Sequence, residues 1–219
     1  LPTASKVVKR TDNNTFGFTE LTFGNGVRII LKSTEYKNDE IVLSAYSPGG
    51  TSLYPDGDIM SATFASTIIV QSGLGEYDFT GLQKKLSGNT AKLTPYINEL
   101  REGVNGNCSP KDLETMLQLN YLYFTRTRKD ENAFNAFISR MRNTYKPMRS
   151  MPQMIFADTL SKIVSQNSPR VIALPSESQF DQVNLDRLIG IFKDRFADAS
   201  DFTYLMVGNF KVEEVIPLL

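Results

Sequence analysis

The stretch Ser47–Gly75, SPGGTSLYPDGDIMSATFASTIIVQSGLG, constrains this chain more than any other. A glycine pair frees the backbone for a tight loop, and an apolar segment of helical length follows. Asp58 is expected to cap that helix, Ile59 to Gln71 to form it, and Gly73 to end it in the left-handed C′ conformation. Apolar residues lie on most sides of the segment, which predicts a buried helix. It has the shape of an active-site loop and helix, and it carries no group that could do chemistry.

The strands around it come as hairpins. Leu21–Phe23 and Val27–Leu31 flank Gly24-Asn25-Gly26, a strong hairpin signal. Glu40–Ser47 alternates as a third strand. Asn89–Glu99 and Gly103–Cys108 form a second pair around Arg101-Glu102, and Phe202–Val207 is a last strand closed by Gly208-Asn209. Helices are expected over Phe79–Leu86, then after Ser109-Pro110, Asp130, Ser150 and Asn184, and from Val212 onward; Arg170–Pro175 reads as a short extended piece. Leu1–Phe18 is polar and aperiodic and reads as an arm or linker (residues 1–18). Residues 19–219 then form one α+β unit, a six-stranded, mainly antiparallel sheet packed on one face by helices.

Composition narrows the chemistry. There is no histidine among the 219 residues, so no Ser-His-Asp triad, Cys-His pair or histidine-ligated zinc can be built. The single cysteine, Cys108, cannot form an internal disulfide and reads as a buried structural thiol. Lys plus Arg and Asp plus Glu both number 24, which gives no electrostatic reason to expect nucleic acid as a partner. No apolar run is long enough to span a membrane. Asp56 and Asp58 are explained by capping rather than by a cation, and Ser72-Gly73-Leu74-Gly75 ends a helix rather than opening one, which argues against a phosphate nest. Neither the sequons at Asn13 and Asn107 nor the cysteine count fixes a compartment.

The order of landmarks is similar to one repeat of the pitrilysin/insulinase (inverzincin) family of zinc metallopeptidases, the fold type of mitochondrial processing peptidase and pitrilysin. They are Leu21-Thr-Phe-Gly-Asn-Gly-Val27, Ser47-Pro-Gly-Gly-Thr51, Pro55-Asp-Gly57, the helix after it, Leu113–Phe124, Tyr145–Pro147, Arg195–Phe202 and Val207-Gly208-Asn209. The resemblance implies a helix carrying His-x-x-Glu-His, two zinc ligands and a general base, with a third ligand, a glutamate, from a downstream helix. Here the helix has Ala62, Thr63, Phe64, Ala65 and Ser66 instead, and no acid occurs from Asn132 to Ala157.

The resemblance therefore implies a non-catalytic repeat from the C-terminal half of a bacterial zinc protease, part of a longer polypeptide. No catalytic, metal-binding or cofactor-binding residue is expected in this chain, and no substrate-binding residue is assigned. Zinc is expected in a catalytic half elsewhere, in the same chain or a paired subunit, with peptide as substrate. A periplasmic or cell-envelope location is implied by the resemblance alone. Two alternatives stand beside it: a stand-alone scaffold or interaction protein of the same fold, and an independent enzyme using Cys108 or a carboxylate pair.

Overall fold

Alternation of apolar and polar residues at period two sets the strands, and their register sets the sheet. The computed structural model describes residues 5–219. Its strands are β1 (Val7–Asn13), β2 (Phe18–Phe23), β3 (Arg28–Ser33), β4 (Ile41–Pro48), β5 (Lys92–Ile97), β6 (Arg101–Cys108) and β7 (Thr203–Gly208). Its helices are α1 (Ile59–Ser72), α2 (Phe79–Lys85), α3 (Leu113–Thr125), α4 (Glu131–Met148), α5 (Pro152–Val164), α6 (Glu177–Asp181), α7 (Leu185–Arg195) and α8 (Val212–Val215).

The strands form one sheet in the order β1-β2-β3-β7-β4-β6-β5. All pairs are antiparallel except β3 with β7, where Arg28 stands opposite Thr203 and Ser33 opposite Gly208 in parallel register. This corrects the six-stranded, mainly antiparallel expectation: the sheet has seven strands and one parallel pair. The added strand is β1, inside the segment expected to be an arm. Its side chains are mostly exposed because it is an edge strand, so its sequence lacks a clean apolar alternation. A bulge between Val7 and Lys9 shifts its register on β2. Residues 1–4 of the expected arm lie outside the described residues.

β7 lies between β3 and β4, so the last strand of the chain separates two strands that are neighbours in sequence. β4 is therefore interior, paired to β6 and β7, and has no free edge for a further strand. The edges are β1 and β5. Pro95 sits on β5, where its missing N–H is tolerated at an edge. Residues 170–175 are irregular rather than extended, and α6 is a short helix not expected from the sequence, set by a capping box between Ser176 and Gln179.

One face of the sheet is core. Leu21, Leu31, Ile41, Ala45, Val104 and Met206 are fully buried against Ile68, Ile69, Met116, Leu188, Ile191 and Phe192 of α1, α3 and α7. Phe192 stacks on Phe196 at 4.3 Å, and Phe124 meets Phe202 edge-on at 5.0 Å. Each large side chain so buried contributes about 2 kcal/mol, which the apolar face of the sheet supplies from every strand except β1.

Candidate functional site

The loop after β4 depends on two glycines. Gly49 has φ 151° and Gly50 φ 66°. A Cβ on Gly50 would fall on the backbone of residues 98–101, 2.6 Å from Arg101 N and Glu99 O. The loop backbone is bonded to the β5–β6 turn, with Gly49 N donating to Leu100 O at 2.9 Å and Thr51 N to Asn98 O at 2.8 Å.

Under this loop lies Glu102, only 1% exposed. Its Oε2 accepts the Gly50 amide proton at 2.6 Å, and Oε1 stands 3.5 Å from Arg195 Nη1. Burial pushes this carboxyl above the ordinary carboxylate range, opposed by the Gly50 amide and Arg195. Arg195 Nε donates to Tyr54 Oη at 3.0 Å, and Tyr54 donates to Asp194 Oδ2 at 2.5 Å. The Tyr54 ring also lies beside two guanidiniums, Arg187 at 5.5 Å and Arg195 at 5.7 Å from its centroid. Burial, with the Asp194 bond, raises the Tyr54 hydroxyl to about 12, so it is no base or nucleophile near neutral pH.

The two loop aspartates are held as ion pairs. Asp56 meets Arg170 at 2.8 Å and Asp58 meets Arg187 at 2.5 Å. Asp58 does not cap α1 as expected. It is the last residue of a 3₁₀ turn, Asp56–Asp58, that runs directly into the helix, so its backbone is already helical and its carboxylate turns to α7. Gly73 does end α1, at φ 82° but with ψ −170°, so its backbone is extended beyond the left-handed helical region expected of it, and a Cβ there would collide with the Tyr77 carbonyl oxygen.

α1 itself is core. Ala62, Ala65, Ile68 and Ile69 are fully buried and Ser66 nearly so. Thr63 Oγ1 bonds back to Ile59 O at 2.8 Å, and Phe64 packs between Phe137, edge-on at 5.3 Å, and Phe180, stacked at 6.3 Å. A zinc ion does not fit these residues: α1 offers no imidazole, thiolate or carboxylate, and among the described residues no group of three His, Cys, Asp or Glu side chains could hold a metal. A 230 Å³ cleft opens between the start of α1 and the end of β5, lined by Thr51, Ile59, Thr63, Ile97, Arg170 and Val171. It is smaller than ordinary ligand pockets.

Cys108 is 2% exposed, and burial followed by the nearby Asp112 raises its thiol to about 11. Burial and the Asp112 charge both disfavour a thiolate, so the structure gives the Cys108 enzyme no support. The Glu102–Arg195–Tyr54–Asp194 chain was missed in the sequence because its members lie up to 141 residues apart. No local pattern marks them.

No family model matches the chain. It is 26% identical over its whole length to a protein named zinc protease PQQL-like from Arabidopsis thaliana, covering 20% of that protein. It is 22% identical over 90% of its length to a probable zinc protease PqqL from Haemophilus influenzae, covering 21% of it. The crystal structure of the periplasmic protease PqqL from Escherichia coli matches 98% of the chain at TM-score 0.82 and 19% identity, over 23% of that protein. The chain thus spans about a fifth of the length of the curated relatives it matches. Among the described residues, no helix is long and apolar enough to cross a membrane.

Proposed function

Starting from the chain's homology to the PqqL zinc proteases of the pitrilysin-like family, we propose that it is a non-catalytic module of a zinc metalloendopeptidase. In this reading α1 stands where a catalytic repeat keeps its zinc helix, and its ligand positions have become core. The burial of Ala62 and Ser66, four residues apart on one helical face, carries the proposal. Both side chains are small and packed in the core, and neither lines the cleft at the start of α1.

The module's work is then to wall a peptide chamber and to pack against a zinc-bearing half. α5 supports the packing role. None of its residues is buried, yet Ile155, Phe156, Leu160, Ile163 and Val164 make a continuous apolar stripe, each 47% or more exposed. A helix that turns its apolar stripe to water is accounted for by another part of the assembly covering it. By the same reading, the compartment is that of the periplasmic relative.

Metal analysis of the purified 219-residue chain is expected to find no tightly held zinc. One zinc per chain would overturn the proposal. Co-expression with a zinc-bearing first half is expected to give a peptidase activity that neither piece shows alone. If a full-length protein digests peptides equally well with this module deleted, the chamber-wall role is wrong.

A further inference from the structure

The face of the sheet away from the helices carries a second pattern. Strand registers place three rows of side chains across it. The middle row runs Thr11, Glu20, Ile30, Leu205, Ser44, Asn105, Thr94 from β1 to β5. On either side of it lie Tyr46, Gly103 and Tyr96 at one end and Lys32, Val207, Val42 and Lys92 at the other. Leu205, Val42 and Tyr46 are 41–45% exposed, so the centre of the face is an open apolar floor.

The charges on this face are mostly cationic. Lys9, Arg28, Lys32, Lys92 and Arg101 share it with one acid, Glu20, which is already paired to Arg28 at 3.0 Å. At the rim, Glu40 is paired to Lys37 at 2.9 Å. The whole chain has equal numbers of acids and bases, so the excess of cations is a property of this surface and not of the composition. Where β6 meets β5, the absence of a side chain on Gly103 lets the Tyr96 ring lie across the strand; a Cβ there would come within 2.7 Å of Tyr96 Cζ. The Arg101 guanidinium lies 5.4 Å from the Tyr46 ring centroid, which leaves a flat aromatic and cationic corner beside the β5 edge.

We propose that this open sheet face docks extended polypeptide rich in Asp and Glu. The proposal rests on the peptide-chamber reading above and adds the substrate class to it. Six interstrand spacings make the face about 29 Å wide, the reach of about nine extended residues, and its area of roughly 500 Å² approaches one side of a modest interface. Apolar floor supplies contact for any extended chain, while cations at its two ends raise the local concentration of carboxylates and repel basic segments.

The test is fluorescence anisotropy of the 219-residue chain with three labelled unstructured peptides of about twelve residues, Glu-rich, neutral and Lys-rich, and with a single-stranded oligonucleotide. The Glu-rich peptide is expected to bind about tenfold or more tighter than the others, and Lys92→Glu with Arg101→Glu to remove that preference. Lys84→Glu on α2, the same kind of charge reversal at an exposed position elsewhere, is expected to leave it in place. Circular dichroism melting confirms that the variants are folded. Equal binding of all three peptides overturns this inference and leaves the chamber reading standing. Binding of none overturns both, as does tighter binding of the oligonucleotide than of any peptide. Retention of the acidic preference in the double variant would place the site elsewhere and overturn the assignment of this face.

Discussion

Glu102 Oε2 accepts the amide proton of Gly50 at 2.6 Å, and so ties the start of β6 to the glycine loop that follows β4. The carboxylate is sealed from water, with Arg195 as its only ion-pair partner among the described residues. Truncating it strands a buried amide and a half-buried guanidinium together. Glu102→Ala is expected to lower unfolding free energy by about 3 kcal/mol in urea denaturation. A loss below about 0.5 kcal/mol would mean that the loop is held by its backbone bonds alone.

The same carboxyl gives a pH signature. Its folded pKa lies above the unfolded value, so the native state binds the proton more tightly and this group's contribution to stability falls as pH rises. The fall begins near the ordinary value of about 4.3 and ends above the raised folded pKa. Glu102→Gln lacks that slope. Its stability relative to the unaltered protein is therefore expected to improve on going from acid toward neutral pH and then to level off, as read by melting temperature at a series of pH values. A difference that moves the other way would refute the burial-dominated assignment.

Gly50 and Gly88 both have positive φ, 66° and 80°, but only Gly50 is hemmed in by backbone. Gly88→Ala pays the conformational term alone, about 1 kcal/mol. Gly50→Ala adds a collision with the β5–β6 turn and is expected to cost more than about 3 kcal/mol. Equal losses in the two variants would show that the loop shifts to accommodate the methyl group.

Cys108 tests the depth of the core. A thiol raised to about 11 is a thiolate only to about one part in a thousand at pH 8. Labelling by a disulfide reagent at that pH is expected to be slower than that of an unfolded control by a factor of at least about 100, and to reach the control rate in denaturant. Native labelling at the control rate would mean that the end of β6 opens readily.

The stripe on α5 gives a prediction with two readouts. Phe156→Ser removes a side chain that is 69% exposed, so the isolated chain's stability should change by less than about 0.5 kcal/mol. Its association with a zinc-bearing half should weaken by about tenfold or more, from the lost burial of a phenyl ring. If association is unchanged, α5 faces water in the assembly as well.

Local order was readable wherever a residue's role depends on its near neighbours. The Asn25-Gly26 hairpin, the end of α1 at Gly73, and the helices expected after Ser109-Pro110 and after Asn184, whose side chain accepts from Arg187 N at 2.9 Å, all stand where the local residues put them. Asp58 shows the limit of that reasoning. Its position and type fit a cap, but an arginine 129 residues away takes the carboxylate instead. β1 shows another limit, since an edge strand is fixed by its partner's register and needs no apolar alternation of its own.

What the sequence determined by itself is the chemistry the chain lacks and the helices and hairpins it forms, because residue type and short-range spacing suffice for both. It shows with no knowledge of the fold that α1 carries no histidine, cysteine, aspartate or glutamate. Only the tertiary structure decided that β7 enters between β3 and β4, that Glu102 and Arg195 meet beneath the glycine loop, and that cations gather on one face of the sheet. Each of those depends on strand order and register, which are set by how seven strands and the helices share one core, and no window of local sequence contains that information.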